Sequence, residues 1–132
     1  MSKGSLTETE YARQRGAFRL SLSSSEQPVC LIVNVDGADV DIVVRDLAAG
    51  GARLDCTRVF DKFYEGQLIG PAVLFLHDDG MPVVYPVVKW KRWPLMGVQF
   101  MEIDNQARET IYRFLFKLER KIQQQQTDND SV

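Results

Sequence analysis

Apolar and polar residues alternate over much of the chain before residue 104, which is the pattern of β-strands with one buried face. A first alternating stretch begins at Phe18. The clearest alternation covers residues 29–35, stops at Asp36-Gly37 and resumes over residues 40–44. An Asp-Gly pair between two alternating runs is a strong signal for a β-hairpin. The pattern therefore predicts two antiparallel strands joined at Asp36-Gly37.

Later turn signals divide the rest of this region into further short strands. A second hairpin is predicted at residues 77–80, between apolar runs at 72–76 and 83–91. A third turn at residues 92–94 leads into a run at 95–101. Several short antiparallel strands at regular spacing are typical of a small β-barrel or a rolled sheet.

The spacing of apolar residues changes from strand to helix at Asp104, whose carboxylate can accept hydrogen bonds from the first free backbone N–H groups of a helix. The charged residues Arg108, Glu109, Arg113, Lys117 and Arg120 fall on the opposite side of that helix from one apolar stripe. The stripe consists of Ala107, Ile111, Phe114, Leu115, Leu118 and Ile122. The pattern predicts an amphipathic helix of about five turns that covers the β structure.

The chain of 132 residues is long enough for one domain with one core. We expect a flexible N-terminal segment at residues 1–12, the domain at residues 13–122 and a disordered polar tail at residues 123–132, which is rich in glutamine and then acidic. The net charge of −2 argues against a general nucleic-acid-binding protein.

Targeting and redox signals point to the cytoplasm. The first residues contain no apolar stretch that would serve as a signal peptide, and no run approaches the roughly 20 apolar residues that insert as a membrane helix. Cys30 and Cys56 have neither CxxC spacing nor nearby histidines, so both are predicted to be reduced residues of strands or core.

Catalysis has little support in the sequence. The single histidine, His77, lies in a predicted turn beside Asp78 and Asp79. A run of neighbouring residues rarely converges on one metal ion with good geometry, so a solvated histidine is expected. The motifs of serine hydrolases, zinc proteases and nucleotide-binding loops are missing from the sequence. No catalytic residue, metal site or cofactor is predicted.

Three arginines precede the first strand within seven residues: Arg13, Arg15 and Arg19. A guanidinium group is a planar fork of donors that pairs with phosphate or with the O6/N7 edge of guanine, and its flat face stacks on bases. Gly16 makes the segment deformable, as a loop that wraps a ligand must be. The alternative for this segment alone is a solvated basic stretch.

A second polar feature ends the best-defined strand. Asp46 could accept two hydrogen bonds from the N1–H and N2–H₂ edge of guanine. Gly50 and Gly51 follow it, and glycine permits positive φ and the close approach of a backbone or a ligand. The alternative is a turn between strands with a capping aspartate.

Together these segments resemble the PilZ family. Its RxxxR segment is matched by Arg15 and Arg19, and its D/N-x-S-x-x-G segment by Asp46 to Gly51. Residues 87–90 are similar to the family's strand ending in tryptophan, residues 97–100 to its Gly-x-x-Phe strand, and residues 104–121 to its closing helix. The resemblance covers residues 13–121.

The resemblance implies a mainly β, six-stranded antiparallel barrel with a C-terminal helix, of a bacterial family, and cyclic di-GMP as the ligand. By transfer, Arg15 and Arg19 would clasp the phosphates and guanines, and Asp46 would read a guanine edge. Gly51 would leave room for a base, with Arg13 and Gly50 as further candidate contacts. Such a receptor signals to a protein partner, not identifiable from the sequence, that controls motility, pili or exopolysaccharide.

One departure from the family pattern opens an alternative function. Ala48 stands where the motif has serine, so one hydroxyl contact is lost. A neutral hydrogen bond is worth about 0.5–1.5 kcal/mol, or up to about tenfold in affinity. A smaller departure is Gln14, where many members have arginine; Arg13 is the neighbouring candidate to replace it. The alternative is a PilZ-like interaction adaptor that no longer binds nucleotide.

Overall fold

The computed structural model describes residues 20–22 and 28–130, with side chains up to residue 124. The described residues form eight strands and one long helix. The strands are β1 (Leu20–Ser21), β2 (Cys30–Val35), β3 (Ala38–Ala48), β4 (Gly51–Asp55), β5 (Ala72–Phe75), β6 (Val83–Val84), β7 (Pro86–Arg92) and β8 (Leu95–Phe100), and the helix is α1 (Asn105–Asp130).

All strand pairs are antiparallel, and the strands follow the order β6-β5-β2-β3-β4-β8-β7. The two ends of this sheet, β6 and β7, are separated along the chain only by Tyr85. One bent stretch of chain therefore pairs with β5 through its first part and with β8 through its second. The sheet is thereby curled into a barrel, as the resemblance implied.

The first strand of the barrel is interrupted in a similar way. β1 pairs with β3 beside β2, and the ladder continues across the interruption. Leu22 N donates to Arg45 O at 2.8 Å, and Val44 N donates to Val29 O at 2.9 Å. The described strands thus number eight where six were predicted, because two of the six barrel strands are each divided into two.

The predicted hairpins are confirmed. Asp36 and Gly37 have φ values of 53° and 89°, which suit the two-residue turn whose twist matches its flanking strands. β5 and β6 pair across the turn at residues 77–80, and β7 and β8 pair across the turn at Trp93 and Pro94.

The core lies inside the barrel, where alternate strand residues meet under α1. Leu31, Leu54, Leu74 and Met96 contribute from four strands, and none of them is exposed. Ile111 and Leu115 of the predicted helical stripe are equally buried. The alternation in the sequence therefore identified the buried faces correctly.

The start of α1 is as predicted, and its end is not. Ala107 N donates to Asp104 Oδ1 at 2.7 Å, so Asp104 is the N-cap. The helix then continues to Asp130 rather than ending near Lys121, and it includes most of the stretch expected to be disordered. Glutamine is a good helix former and each added residue gains one backbone hydrogen bond, which explains the longer helix. No helix among the described residues is long and apolar enough to cross a membrane.

Candidate functional site

The end of β3 and the turn into β4 contain the predicted residues Asp46, Ala48, Gly50 and Gly51. Ala48 pairs with Gly51, so Ala49 and Gly50 form a tight two-residue turn. Neither Gly50 nor Gly51 has positive φ, contrary to what the two glycines suggested. The turn is therefore made without the conformations that only glycine adopts easily.

A β-bulge at Arg45 decides where Asp46 points. Val44 pairs with Leu54, and both side chains are buried in the core. Strict alternation would place Asp46, two residues later, on that same inner face. The register shifts at Arg45 instead, so that Asp46 pairs with Arg53 on the outer face of the sheet. The bulge thus turns a carboxylate out of the core and towards possible ligands.

Asp46 forms an ion pair with Arg53, its neighbour on β4. Arg53 Nε lies 2.5 Å from Asp46 Oδ2, and Asp46 is only 7% exposed. The buried Nε–H has no acceptor in line with it, so this contact is an ion pair rather than an aligned hydrogen bond. The pairing gives the nearly buried carboxylate a partner of opposite charge and limits its motion.

A second ion pair lies beside the first. Arg45 Nη2 donates to Asp55 Oδ2 at 2.7 Å. The pKa of Asp55 lies below its ordinary value, because Thr57 Oγ1 donates to this carboxylate and Arg45 adds a second hydrogen bond and a positive charge. The two arginines next to Asp46 are therefore each neutralised by a carboxylate.

The outer face continues from Arg53 across β8 to β7. Gly97 pairs with Arg53 on one side and with Trp90 on the other. A Cβ atom at Gly97 would lie within 3 Å of the Trp90 indole, so the glycine allows the ring to lie flat over β8. Asp46, Arg53, Gly97 and Trp90 form one row across four strands. Trp90 is 39% exposed.

Gly51 contacts the barrel in a way that the resemblance did not indicate. A Cβ atom at this position would lie 2.3 Å from the backbone oxygen of Val98 on β8. The space that the missing side chain creates is therefore filled by the neighbouring strand. Gly50, by contrast, has nothing within 4 Å of its Cβ position.

The predicted arginines Arg13, Arg15 and Arg19 lie outside the described residues. Arg19 immediately precedes β1 in the sequence, and Ser21 of β1 is paired with Asp46. The strand that follows the arginine segment is thus beside the predicted carboxylate.

Sequence reasoning missed Arg53. The tight turn is the signal that would have found it. A two-residue turn at Ala49 and Gly50 pairs Ala48 with Gly51, and counting outward by two residues on each strand pairs Asp46 with Arg53. Sequence reasoning quoted Trp90 as a family match but gave it no place in the site.

His77 does not take part in this site. Its ring Nε2 lies 2.7 Å from the backbone oxygen of Pro28, and its ring meets Phe75 edge-on. Within the part of the chain that the structure describes, no group of three or more His, Cys, Asp or Glu side chains is placed to hold a metal ion. The contacts of His77 tie the second hairpin to the start of β2.

Comparison with known proteins agrees with this fold. The PilZ domain family model matches residues 13–117. The PilZ domain of YcgR from Escherichia coli, solved with c-di-GMP, is similar with a TM-score of 0.67 at 15% sequence identity, covering 87% of this chain and 96% of that chain. No curated protein matches the chain.

Larger proteins contain the same fold. The complex of MrkH from K. pneumonia with c-di-GMP is similar with a TM-score of 0.69 at 19% identity, covering 82% of this chain and 53% of that chain. The complex of YcgR from Escherichia coli with c-di-GMP has a TM-score of 0.67 at 17% identity, covering 84% of this chain and 48% of that chain. The chain spans about half the length of these two proteins.

Proposed function

This chain belongs to the PilZ domain family, and we propose that it is a receptor that binds cyclic di-GMP and transmits the binding to a protein partner. The observation that carries the proposal is the outward position of Asp46, produced by the bulge at Arg45, next to the strand that follows Arg15 and Arg19. Similar domains in YcgR and MrkH are solved with c-di-GMP.

Asp46 has the chemistry to select guanine. The N1–H and N2–H₂ groups of guanine are two adjacent donors, and a carboxylate offers two acceptor oxygens at a matching separation. The ion pair with Arg53 is made through Oδ2 and fixes the position of the carboxylate. Adenine presents a different edge and would not make both bonds. Asp46 is therefore proposed as the residue that reads the base.

The ligand's phosphates need positively charged side chains, and the two arginines beside Asp46 are already paired with carboxylates. Arg45 and Arg53 are each paired with a carboxylate, so the four side chains together have no net charge. Two phosphates of the ligand would then be bound by Arg15 and Arg19, with Arg13 as a further contact. Arginine forms charge-assisted bonds to phosphate that are worth about 1.5–3 kcal/mol each.

The alternative function is a PilZ-like adaptor that has lost nucleotide binding, and Ala48 is the observation that favours it. Ala48 lies two residues after Asp46 on the same strand and is 7% exposed. Whether the chain is a receptor or an adaptor, we propose that it acts on a protein partner in a process such as motility, pilus formation or exopolysaccharide production. The proposal assigns the chain no catalytic chemistry.

Calorimetric titration with cyclic di-GMP tests the proposal directly. We expect saturable binding of cyclic di-GMP, and far weaker binding of GMP and cyclic di-AMP, because the contact with Asp46 needs the guanine donor edge. Asp46→Asn should reduce the preference for guanine over adenine, since an amide replaces one acceptor oxygen with a donor. Equal affinity for the adenine analogue would contradict the assignment of Asp46. No binding of any cyclic dinucleotide would favour the adaptor.

Ala48→Ser is expected to tighten cyclic di-GMP binding by a few-fold to about tenfold, the worth of one neutral hydrogen bond. The hydroxyl would stand where the family motif has one, and serine is only slightly larger than alanine. Equal affinity of variant and wild type would mean that the hydroxyl finds no ligand atom. Weaker binding would mean that Ala48 packs against an apolar surface, as its low exposure allows, and would contradict the transfer of the motif.

A further inference from the structure

The outer face of β2, β3, β5 and β6 contains an apolar patch. Inward residues of these strands, such as Leu31, Ile42 and Leu74, are buried in the core, and the residues that alternate with them point outward. Val43 and Val83 on the outside are 39% and 47% exposed. We define the outer apolar face as Cys30, Ile32, Val43, Val73, Phe75 and Val83.

These residues form two rows that run across the strands. Phe75, Cys30 and Val43 are directly paired across β5, β2 and β3. The second row contains Val83, Val73 and Ile32, and it ends at Asp41, the partner of Ile32 on β3. The solvent side of an antiparallel sheet is ordinarily polar, and a contiguous apolar patch marks an interaction surface.

The charges along β3 indicate what covers this face. Asp41 lies two residues before Val43 and Arg45 lies two residues after it, both exposed. The Asp41 carboxylate is near the first row, since it raises the pKa of Cys30 in addition to burial. On the outer side of β3, an acidic, an apolar and a basic residue therefore follow one another along the strand. A strand with this pattern is complementary to its own reversed copy.

We propose that the first row, Phe75, Cys30 and Val43, packs against the same row of a second copy of this chain, with the two β3 strands antiparallel. The two-fold axis would run along the row of Phe75, Cys30 and Val43. Each residue of this row would meet its own copy, and Asp41 would face Arg45 of the second copy. Such an interface is isologous, so each charge pair occurs twice. An arrangement with parallel strands would set Asp41 against Asp41.

Arg45 can make this contact without giving up its ion pair. Its bond to Asp55 uses Nη2, and a guanidinium group has five N–H donors. The proposal rests on the first apolar row and on Asp41 and Arg45, and its tests are made without cyclic di-GMP. They are therefore independent of the proposed function.

Cys30 is a built-in reporter of the proposed axis. Face-to-face sheets lie about 10 Å apart, which is too far for a disulfide but within reach of a short bismaleimide. Cys56 is buried, and burial together with the Asp55 carboxylate raises its pKa to about 12, so its thiol stays protonated and unreactive. We expect cross-linked dimer from the wild type and from Cys56→Ser, and none from Cys30→Ser.

A matched control separates a defined interface from random collision. Glu65 is exposed in a turn whose next residue, Gly66, bonds to Val88 of β7 rather than to a strand of the outer apolar face, and Cys30→Ser/Glu65→Cys places one reactive thiol there. This variant should give little cross-linked dimer under the same conditions. Equal cross-linking through residues 30 and 65 would overturn the proposal. The reaction is best run above neutral pH, because the raised pKa of Cys30 lowers its thiolate fraction.

Charge reversal tests the orientation by sedimentation equilibrium. Asp41→Arg and Arg45→Asp should each weaken self-association by about tenfold or more, because each creates two like-charge contacts in a homodimer. An equal mixture of the two variants should associate as the wild type does, since both contacts are then opposite in sign. Wild-type protein that stays monomeric, or a mixture no better than its components, would overturn the proposal.

A second pair of variants keeps the test independent of the Arg45–Asp55 ion pair. Val43→Asp places two carboxylates at the axis and should abolish self-association. Met101→Asp changes a residue of nearly equal exposure, 38% against 39%, outside the outer apolar face, and should leave self-association unchanged. Equal effects of the two substitutions would contradict the proposed surface. A monomeric wild type would leave the face to a different protein.

Discussion

Arg15→Ala and Arg19→Ala are each expected to lower the affinity for cyclic di-GMP by about tenfold to a hundredfold, because a charge-assisted hydrogen bond is worth about 1.5–3 kcal/mol. The two arginines in the described site are already paired with carboxylates, so little positive charge remains there to replace the lost side chain. The melting temperature should hardly change, since surface substitutions usually alter stability by less than about 0.5 kcal/mol. Calorimetry and thermal unfolding measure the two quantities.

Two further variants sharpen this test. Arg15→Lys keeps the positive charge but loses the planar fork, so its affinity should fall between those of wild type and Arg15→Ala. Arg120→Ala removes an exposed arginine from α1 and should leave binding unchanged. A large drop in melting temperature for Arg15→Ala or Arg19→Ala would mean that the segment supports the fold. Unchanged affinity would remove these arginines from the site.

The parts of the fold that the sequence predicted are those fixed by local periodicity. The hairpin at Asp36-Gly37 followed from a turn pair between two alternating runs, and the helix start followed from the capping residue Asp104. Alternation also predicted strands with one buried face, as residues 29–35 have in the structure. In each case the residues that form the element and the pattern that predicts it lie in one short stretch of chain.

The parts that were not predicted depend on pairing between distant segments. A bulge leaves no clear mark in one strand, because the extra residue is defined only against its partner strand. Alternation alone would have buried Asp46 beside Val44, and only the pairing with Leu54 and Arg53 reveals the shift. The two divided strands escaped notice for the same reason. The family resemblance singled out Asp46 without explaining how it faces outward.

Gly51 has a packing role in the barrel that the resemblance did not indicate. The resemblance assigns Gly51 to the ligand, where it would leave room for a base. In the structure its Cβ position points at the backbone oxygen of Val98. Backbone atoms of a central strand cannot swing aside as the end of a long side chain can. The glycine is therefore required for β4 and β8 to pair.

Gly51→Ala is accordingly expected to destabilise the protein by about 2 kcal/mol or more, in the upper range for overpacking, since a contact of 2.3 Å forces two strands apart. Gly50→Ala is the matched control one residue away. Its Cβ would meet nothing within 4 Å and its φ is not positive, so the substitution should be neutral or should stabilise by up to about 1 kcal/mol. Urea unfolding measures both changes in the free energy of unfolding, because a shift in the midpoint at an unchanged m-value reports a change in stability.

The same pair of variants decides how loss of ligand binding at this motif should be interpreted. If Gly51→Ala lowers the unfolding midpoint and cyclic di-GMP affinity together, the loss of affinity follows from the displaced β4 and β8, which also hold Arg53 and Gly97. A Gly51→Ala variant with wild-type stability but no binding would instead mean that the strands adjust and that the new methyl group blocks the ligand. Equal midpoints for Gly50→Ala and Gly51→Ala would contradict the packing role. Gly51 would then return to the site as a direct ligand contact.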